Sequence, residues 1–314
     1  MNLNSKENIK QFLDAHYNLN TKEIIPLENG VQNLNFLILT NKYKFVFRIY
    51  NWKNIEDLHY TTQILLTLQN NNFPSPELIP TVNNEWSFHF HNKPCILYRY
   101  IPGKKTNKKS RGLIKQIGAL QGKMHTLLIN ENQGSSGLNW DYDDLEKIIL
   151  KKKPLLKSAF PEIFKTIEFI TDELKKISFT DRLPQGGTHQ DIKPENVLID
   201  NKRLVKGIID FDNGYYGDLL HDVTTTICWY CFNDTRISLR CFEDFICSYQ
   251  EERIISGIEK EYFYQSIKFR LLREAIIWPM YVSHNASVAI MYSDYFLILY
   301  KHFDIKESVF LKYI

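Results

Sequence analysis

The sequence predicts an α+β protein with a small N-terminal lobe built on an antiparallel sheet and a larger, mainly helical C-terminal lobe. Two observations lead to this fold class. Hydrophobic residues in much of the first hundred positions alternate with the period of half-buried strands, whereas beyond residue 104 they recur with helical spacing. A chain of 314 residues is long enough for two such lobes.

The N-terminal elements follow from these periods in chain order. Asn4 is predicted to cap an opening helix, since Glu7 follows at the spacing of a capping box. Alternating runs at 34–39 and 45–50 predict an antiparallel hairpin. The pattern becomes helical between about 56 and 70, and strands are predicted again up to residue 100. We therefore expect about five strands with one inserted helix.

The second lobe is predicted from a break followed by helical spacing. Ile101-Pro102-Gly103 interrupts the strand pattern, and the Lys-rich stretch 104–111 predicts a solvated connection. Helices are then predicted at 113–124, 142–150, 163–177, 219–232, 239–249 and 262–281. The predicted boundaries are 1–97 for the N-lobe, 98–103 for the hinge and 104–314 for the C-lobe.

Composition excludes several classes of protein. The formal charge is +3 and is spread along the chain, so no nucleic-acid partner is expected. No apolar run reaches the ~18 residues that a membrane span needs, and the start lacks the apolar stretch of a signal peptide. Five cysteines, an odd number, predict thiols rather than a disulfide framework. The sequence therefore predicts a cytoplasmic protein with no membrane association and gives no indication of its oligomeric state.

The residues that indicate chemistry lie between 188 and 212. Two apolar runs, 197–199 and 204–209, are joined by the polar turn Asp200-Asn201-Lys202, so the chain is predicted to fold back antiparallel. Asn196 and Asp210 then become neighbours at one end of the ribbon. An amide oxygen beside a carboxylate is a hard-oxygen pair that Mg²⁺ accepts while it keeps waters and nucleotide phosphate oxygens as further ligands.

A second carboxylate, Asp191, lies on the loop that leads into this ribbon. Pro194 restricts the loop, so Asp191 is expected to face the metal pair without belonging to a strand. From there it can accept a proton from an incoming hydroxyl. A base, a metal-binding amide and a metal-binding carboxylate in this order are the parts of kinase-type phosphoryl transfer.

The stretch His189-Gln190-Asp191-Ile192-Lys193-Pro194-Glu195-Asn196, with Ile209-Asp210-Phe211-Asp212 downstream, resembles the signature of the aminoglycoside phosphotransferase and homoserine kinase-like superfamily, which includes choline kinase-like proteins. The resemblance implies a bilobal protein-kinase-like fold. Further segments from about 25 to 235 resemble the same family, namely 28–36 (nucleotide loop), 45–50 (third strand), 73–76 (Pro-x-Pro), 98–103 (hinge), 120–125 and 218–223.

This resemblance implies an ATP-dependent (or GTP-dependent) phosphotransferase with Mg²⁺ as cofactor. Asp191 is then the catalytic base, Asn196 and Asp210 are the metal ligands, and Asp212 either assists the metal or caps the next turn. Arg48 is the cation on the nucleotide phosphates. The strand alternation supports this last role, because it separates Arg48 from the core-facing side chains of its strand.

The resemblance also implies a set of further nucleotide-binding residues: Gly30, Asn33, Val46, Tyr98 and Tyr100. In many relatives a Glu of the inserted helix pairs with the strand cation. The position suggested by counting back from Pro74 is near Thr61, which cannot form this pair. Glu56 and Asp57 lie about one helical turn earlier, and Glu56 is favoured, although its pair with Arg48 is expected to be long or absent.

The acceptor side is predicted from polar and aromatic residues of the helices after 213. Carboxylates and aromatic faces there can surround a cation, and the candidates are Asp218, Asp222, Trp229, Tyr230 and Trp278. A small acceptor that bears an amine fits such a wall, for example homoserine, a choline-like amino alcohol or an aminoglycoside. His189 is predicted to be structural, with its ring hydrogen-bonded to the loop backbone.

Two alternatives stay open on the sequence alone. Lys193 is common in protein kinases, where it touches the transferred phosphate, and it favours a catalytic role in a protein Ser/Thr kinase. Against this, no Ala-Pro-Glu and no Asp-Phe-Gly is present, and residues 213–222 leave little room for an activation segment. A nucleotide-binding pseudokinase module is the second alternative, because the usual helix Glu is missing.

Overall fold

The structure, a computed structural model, describes residues 5–27, 33–106, 110–130, 140–161, 164–179, 182–281 and 286–314. Its strands are β1 (Thr21–Leu27), β2 (Leu34–Thr40), β3 (Lys44–Ile49), β4 (Leu78–Ile79), β5 (Phe88–Phe90), β6 (Lys93–Arg99), β7 (Lys104–Lys105), β8 (Gln185–Gly187), β9 (Val197–Ile199), β10 (Val205–Ile208), β11 (Tyr216–Asp218), β12 (Phe232–Asn233) and β13 (Arg236–Ile237). Its helices are α1 (Lys6–Tyr17), α2 (Ile55–Asn70), α3 (Arg111–Leu128), α4 (Tyr142–Ala159), α5 (Phe164–Leu174), α6 (Leu219–Tyr230), α7 (Leu239–Gln250), α8 (Gly257–Tyr281), α9 (Ala286–Lys301) and α10 (Glu307–Phe310).

These elements cluster in two compact units. The first holds the chain up to Thr106 together with Glu195–Tyr215, and the second holds the helices from α3 onward. The β9–β10 ribbon therefore clusters with the N-terminal sheet, whereas the sequence-based division assigns it to the C-lobe. The mixed α+β class, with an antiparallel sheet followed by a helical part, is confirmed.

The sheet of the first unit is antiparallel with the strand order β1-β2-β3-β6-β4, and β5 pairs with β6. The predicted hairpin is present as β2 and β3. On β3, Phe45 and Phe47 are buried in one hydrophobic cluster with Ile9 and Leu13 of α1, as expected for a sheet with one covered face. The opposite face of β3 is only partly buried and presents Arg48.

Helix α1 begins one residue later than predicted from the capping pattern. Its N-cap is Ser5, whose hydroxyl accepts a hydrogen bond from the backbone N–H of Asn8. Asn4, the predicted cap, lies outside the described residues. A serine at the next position competes for the same role with equal chemistry, so the pattern alone could not separate the two.

The predicted solvated connection after the hinge is exposed at Lys104 and Lys105 and contains a short strand. Lys104 and Lys105 form β7, which pairs with β9 and extends the ribbon to three strands. Glycine permits this approach, because a Cβ on Gly103 would lie 2.9 Å from the Cβ of Leu198 on β9. The connection is thus fastened to the ribbon that begins next to Asn196.

The second unit is built from packed helices. Helix α3 packs on α7 through Gly118 and Gly122, where a Cβ would collide with the main chain of α7. Helix α8 packs on α6 and on α9, an apolar helix that the sequence reasoning missed. Among the described helices, none combines the length and the apolar character that crossing a membrane requires. All five cysteines are free thiols, as predicted.

Candidate active site

The ribbon of β9 and β10 brings Asn196 and Asp210 to the same end, as predicted. Val197 pairs with Ile208, and the N–H of Ile209 donates to the carbonyl oxygen of Asn196 over 2.8 Å. At the other end, the carboxylate of Asp200 closes the turn by accepting hydrogen bonds from two backbone N–H groups. The antiparallel pairing therefore fixes the position of Asp210 relative to Asn196.

Arg48 on β3 reaches the carboxylates that follow this ribbon. Its Nη1 lies 2.8 Å from Oδ1 of Asp210 and 2.7 Å from Oδ2 of Asp212, and its Nε donates to the Asn35 amide oxygen over 2.8 Å. Burial alone lowers the pKa of Arg48, but the two carboxylates outweigh it and raise the pKa well above the ordinary value. Arg48 is therefore a permanent cation held by three side chains.

Asp212 is a buried anchor of this cluster. Its Oδ1 accepts from the Tyr50 hydroxyl over 3.0 Å, and its Oδ2 accepts from Arg48 and from Nδ2 of Asn33 over 2.9 Å. Burial raises the pKa of the Asp212 carboxyl, and Arg48 opposes this rise. These contacts support an anchoring role for Asp212, and its predicted part in metal ligation or turn capping stays a prediction.

Lys53 is a cation of this site that the sequence reasoning missed. It is 5% exposed, and its Nζ donates to the main-chain oxygen of Asp212 over 2.6 Å. Burial lowers the pKa of Lys53, while Asp212 opposes this effect. No periodic signal marks it, because it lies in the connection between β3 and α2.

Arg48 is paired with carboxylates other than those of α2. Glu56 is exposed on the first turn, and Asp57 instead forms a capping box with Asn54. Arg48 pairs with Asp210 and Asp212, so it does not need a carboxylate from the helix. The expectation of a long or absent Glu56 pair agrees with this arrangement.

The remaining predicted nucleotide residues differ in their contacts. Gly30 lies outside the described residues, and Asn33 donates to Asp212. Tyr98 is paired on both sides within the sheet, and its buried hydroxyl bonds to that of Tyr50 over 2.9 Å, so its contacts support a structural role. The nucleotide-binding roles of Val46 and Tyr100, both partly buried, stay predictions.

A hard-oxygen donor set is present at the end of the ribbon. In the described part of the chain, no group of three or more His, Cys, Asp or Glu side chains is arranged to hold a metal ion. The candidate donors are instead the Asn196 amide and the Asp210 carboxylate, and the Asp210 side chain is 36% exposed. Two protein oxygens complemented by phosphate oxygens and water fit Mg²⁺, whereas they do not suit zinc.

In the second unit, a buried aspartate of α6 fixes the loop that carries Asp191. Asp222 accepts hydrogen bonds from the backbone N–H groups of His189 and Gln190, at 3.1 and 2.6 Å, and its Oδ2 lies 2.9 Å from Nε2 of His125. Burial raises the pKa of Asp222, yet the hydrogen bonds and charges of His125 and His189 prevail and lower it to about 2. The carboxylate thus stays ionised at neutral pH.

The ring of His189 has the structural role predicted for it. Its Nδ1 accepts the backbone N–H of Asp191 over 3.2 Å. Gln190, between the two, has a φ of 64°, a left-handed conformation that costs energy for any residue other than glycine. The buried Arg270 of α8 donates to the Gln190 amide oxygen over 3.1 Å and helps to hold this conformation.

Asp191 is paired with Lys193 among aromatic rings. The Lys193 Nζ lies 2.8 Å from Oδ2 of Asp191 and faces the rings of Trp229 and Trp278, with centroids 5.8 and 5.7 Å away. Trp278 stacks on Tyr292 of α9 with the centroids 3.9 Å apart. We call the three rings of Trp229, Trp278 and Tyr292 the aromatic cluster.

Two of the predicted acceptor residues lie in the core, and the acceptor role of a third, Asp218, stays a prediction. Asp222 and Tyr230 are buried in the core of the second unit, so neither can line an open wall. Asp218 lies at the start of α6, where it contacts Gln185 and His221. Trp229 and Trp278 stay candidates, and Tyr292 joins them. The sequence does contain a pattern that marks Tyr292, because Tyr292, Tyr295, Phe296 and Leu299 follow one another at helical spacing. No helix was predicted beyond residue 281.

Comparison with known proteins relates this geometry to a family. Residues 23–246 match the model of the phosphotransferase enzyme family. A homoserine kinase of Caulobacter vibrioides is 25% identical over 240 residues, which are 75% of this chain and 74% of that protein.

Two solved structures share the fold. An amicoumacin kinase in complex with AMP-PNP and Ca²⁺ superposes with a TM-score of 0.72 at 11% identity over 98% of this chain and 97% of its own. A microcompartment-associated aminopropanol kinase has a TM-score of 0.64 at 16% identity over 95% and 97%. The family match covers well over half of the chain. The chain therefore belongs to the phosphotransferase enzyme family and is a kinase of small-molecule hydroxyls, not a protein kinase.

Proposed function

We propose that this kinase transfers the γ-phosphoryl group of Mg-ATP to the hydroxyl of a small amino alcohol. The observation that carries the proposal is the aromatic cluster beside Asp191. Trp229 and Trp278 face an ammonium group next to the carboxylate that we assign as the base. An acceptor with an ammonium near its hydroxyl therefore meets complementary groups on both of its ends.

Asp191 is the proposed general base. It is 15% exposed, and it follows a backbone that Asp222, His189 and Arg270 hold in one conformation. Such fixation supports its role, since a positioned base accelerates proton transfer by about 10² to 10⁴. Asp191 accepts the proton of the acceptor hydroxyl as the oxygen bonds to phosphorus, and the bond to the ADP leaving group breaks.

Asn196 and Asp210 are the proposed magnesium ligands, and Arg48 the cation on the nucleotide phosphates. When it is bound by this pair, Mg²⁺ would neutralise part of the negative charge of the phosphates. Arg48 is held between two carboxylates and an amide, so its fork is already oriented before a nucleotide arrives. A cation oriented in advance loses little conformational entropy on binding phosphate oxygens.

The relatives support the acceptor class. The homoserine kinase and the aminopropanol kinase carry in their names acceptors that have both an amine and a hydroxyl. The indole N–H groups of Trp229 and Trp278 are buried without a hydrogen-bond partner among the described residues. Unpaired buried donors are costly, and an oxygen of the acceptor offers them a partner.

The test is ADP release with acceptors in matched pairs that differ only in the ammonium group. Suitable pairs are ethanolamine with ethanol, 1-amino-2-propanol with 2-propanol, and homoserine with 4-hydroxybutyrate, each with Mg-ATP and with Mg-GTP. We expect turnover with the amine member of at least one pair and kcat/KM at least about tenfold lower for its deamino partner. Asp191→Asn is the blank.

Equal turnover within every pair would refute the amino-alcohol class. Trp278→Leu provides the matched variant, because it removes one aromatic face and leaves the base in place. It should raise KM for the amine member and leave KM for the nucleotide unchanged. A rise in both constants would mean that the substitution disturbs the fold instead of the acceptor site.

A further inference from the structure

Lys193 lies where the proposed function requires a cation of the acceptor. Its ammonium contacts the carboxylate of Asp191 and the faces of Trp229 and Trp278, and its side chain is 20% exposed. The chain therefore supplies its own ligand to the aromatic cluster. The acceptor ammonium of the proposed function needs the same three groups.

Electrostatics does not allow two ammonium groups there at once. Two like charges about 4 Å apart repel by about 4 kcal/mol near a protein surface. One carboxylate, Asp191, compensates one cation within hydrogen-bond distance. Binding of the acceptor amine therefore requires that Lys193 leave the rings.

The lysine is suited to such an exchange. Its ammonium is a point charge on a flexible stem, and its contacts include an ion pair with Asp191 and the faces of two rings. Each of these contacts is individually weak in a partly exposed position, with a cation–π contact contributing about 0.5 to 1 kcal/mol. An acceptor ammonium offers the same contacts in return, so the exchange is nearly balanced.

We propose that Lys193 occupies the acceptor ammonium site in the resting enzyme and that the acceptor amine displaces it. Displacement separates Lys193 from Asp191 and brings the acceptor beside this carboxylate in its place. The inference rests on the proposed function, since it assigns the occupant of the same site. Its consequence is that Lys193 competes with the acceptor and restrains Asp191 in its absence.

The experiment measures the binding of tetramethylammonium chloride, which has the charge of the acceptor but no hydroxyl. Binding is followed by tryptophan fluorescence against sodium chloride of equal ionic strength, in the wild type and in Lys193→Met. Methionine keeps the length of the stem and removes the charge. We expect the dissociation constant to fall about tenfold in Lys193→Met, because the competing cation is gone.

Two further variants make the result specific. The double variant Lys193→Met with Trp278→Leu should lose the tighter binding of tetramethylammonium. If thermal melting shows that Lys193→Met folds poorly, Lys193→Gln takes its place and should show the same tighter binding. Unchanged or weaker binding in both folded Lys193 variants would overturn the proposal. Retention of the gain without the Trp278 ring would also overturn it, since the cation would then bind elsewhere.

The binding measurement does not depend on phosphoryl transfer. If tetramethylammonium binds more tightly to Lys193→Met but no amino alcohol is turned over, the acceptor class is wrong and the occupancy by Lys193 stands. If amino alcohols are turned over and the variant shows no gain, the function stands and the displacement is refuted.

Discussion

Arg48 in the first unit and Lys193 in the second each pair with a carboxylate of the proposed reaction. The two cations differ in the contacts that hold them. Arg48 is on a strand and bonds to Asn35, Asp210 and Asp212 through a rigid fork. Lys193 is on a loop and bonds to one carboxylate beside two ring faces. The first arrangement suits a cation with a constant partner, the nucleotide phosphates of the proposed reaction, whereas the second suits the proposed exchange.

The largest effect is expected at the carboxylate of the second region. Asp191→Asn keeps the shape and removes the base, so kcat should fall about a thousandfold. Nucleotide affinity, measured by isothermal titration, should stay the same because the proposed nucleotide residues lie in the first unit. Loss of nucleotide binding together with kcat would contradict this separation of roles.

The second largest effect is expected for Arg48→Met, which should lower kcat/KM for the nucleotide about a hundredfold. The substitution also leaves Asp212 buried without its cation, so Arg48→Lys is the control that keeps the charge and removes the fork. Steady-state kinetics should give Arg48→Lys an intermediate value. Equal activities of Arg48→Lys and wild type would show that the fork is unnecessary.

Asp222→Asn tests the fixation of the loop through its dependence on pH. The pKa of Asp222 is lowered to about 2, so its stabilising contribution is present above about pH 4 and is lost as the pH falls toward 2. We expect the variant to be about 2 kcal/mol less stable at pH 7 in urea unfolding. The difference in unfolding free energy between wild type and variant should shrink below pH 4. A difference that is constant with pH would show that the charge of Asp222 is not its cause.

Gln190 allows a smaller, paired test. Gln190→Gly removes the link to Arg270 but suits the left-handed conformation, while Gln190→Ala removes the link and keeps the strain. The glycine variant should be about 1 kcal/mol more stable than the alanine variant in thermal unfolding. The reverse order would mean that the side chain, not the backbone, dominates.

The smallest effect is expected at Glu56. Because Glu56 is exposed and Arg48 is paired elsewhere, Glu56→Gln should leave kcat/KM for the nucleotide within about twofold of wild type. Asp57→Ala is the matched control on the same turn, and loss of its capping box should cost about 1 kcal/mol of stability. A large kinetic effect of Glu56→Gln would restore a role for the helix.

The sequence predicted the first region better than the second because strands have a simple period. Alternation placed Arg48 on the face opposite Phe47, and the two short runs around Asp200 placed Asn196 beside Asp210. Lys53 was missed because connections carry no period. In this region local pattern and tertiary position agree.

The second region depends on contacts between distant helices, which one sequence does not encode locally. Trp229 was a candidate because it is aromatic, but its neighbour Tyr230 has the same chemistry and is buried. Asp222 looked like a wall residue and instead binds the loop of His189. Helix α9 has hydrophobic residues on all sides, so its amphipathic signal is weak.

The pairing of β7 with β9 has a practical consequence for engineering. Lys104 and Lys105 hydrogen-bond to the strand that begins immediately after Asn196. A tag or reporter domain inserted between these lysines would enter the ribbon itself, although they are more than ninety positions away from Asn196 in the chain. Fusions between Lys104 and Lys105 should therefore be avoided, although the Lys-rich composition of this segment is typical of a loop.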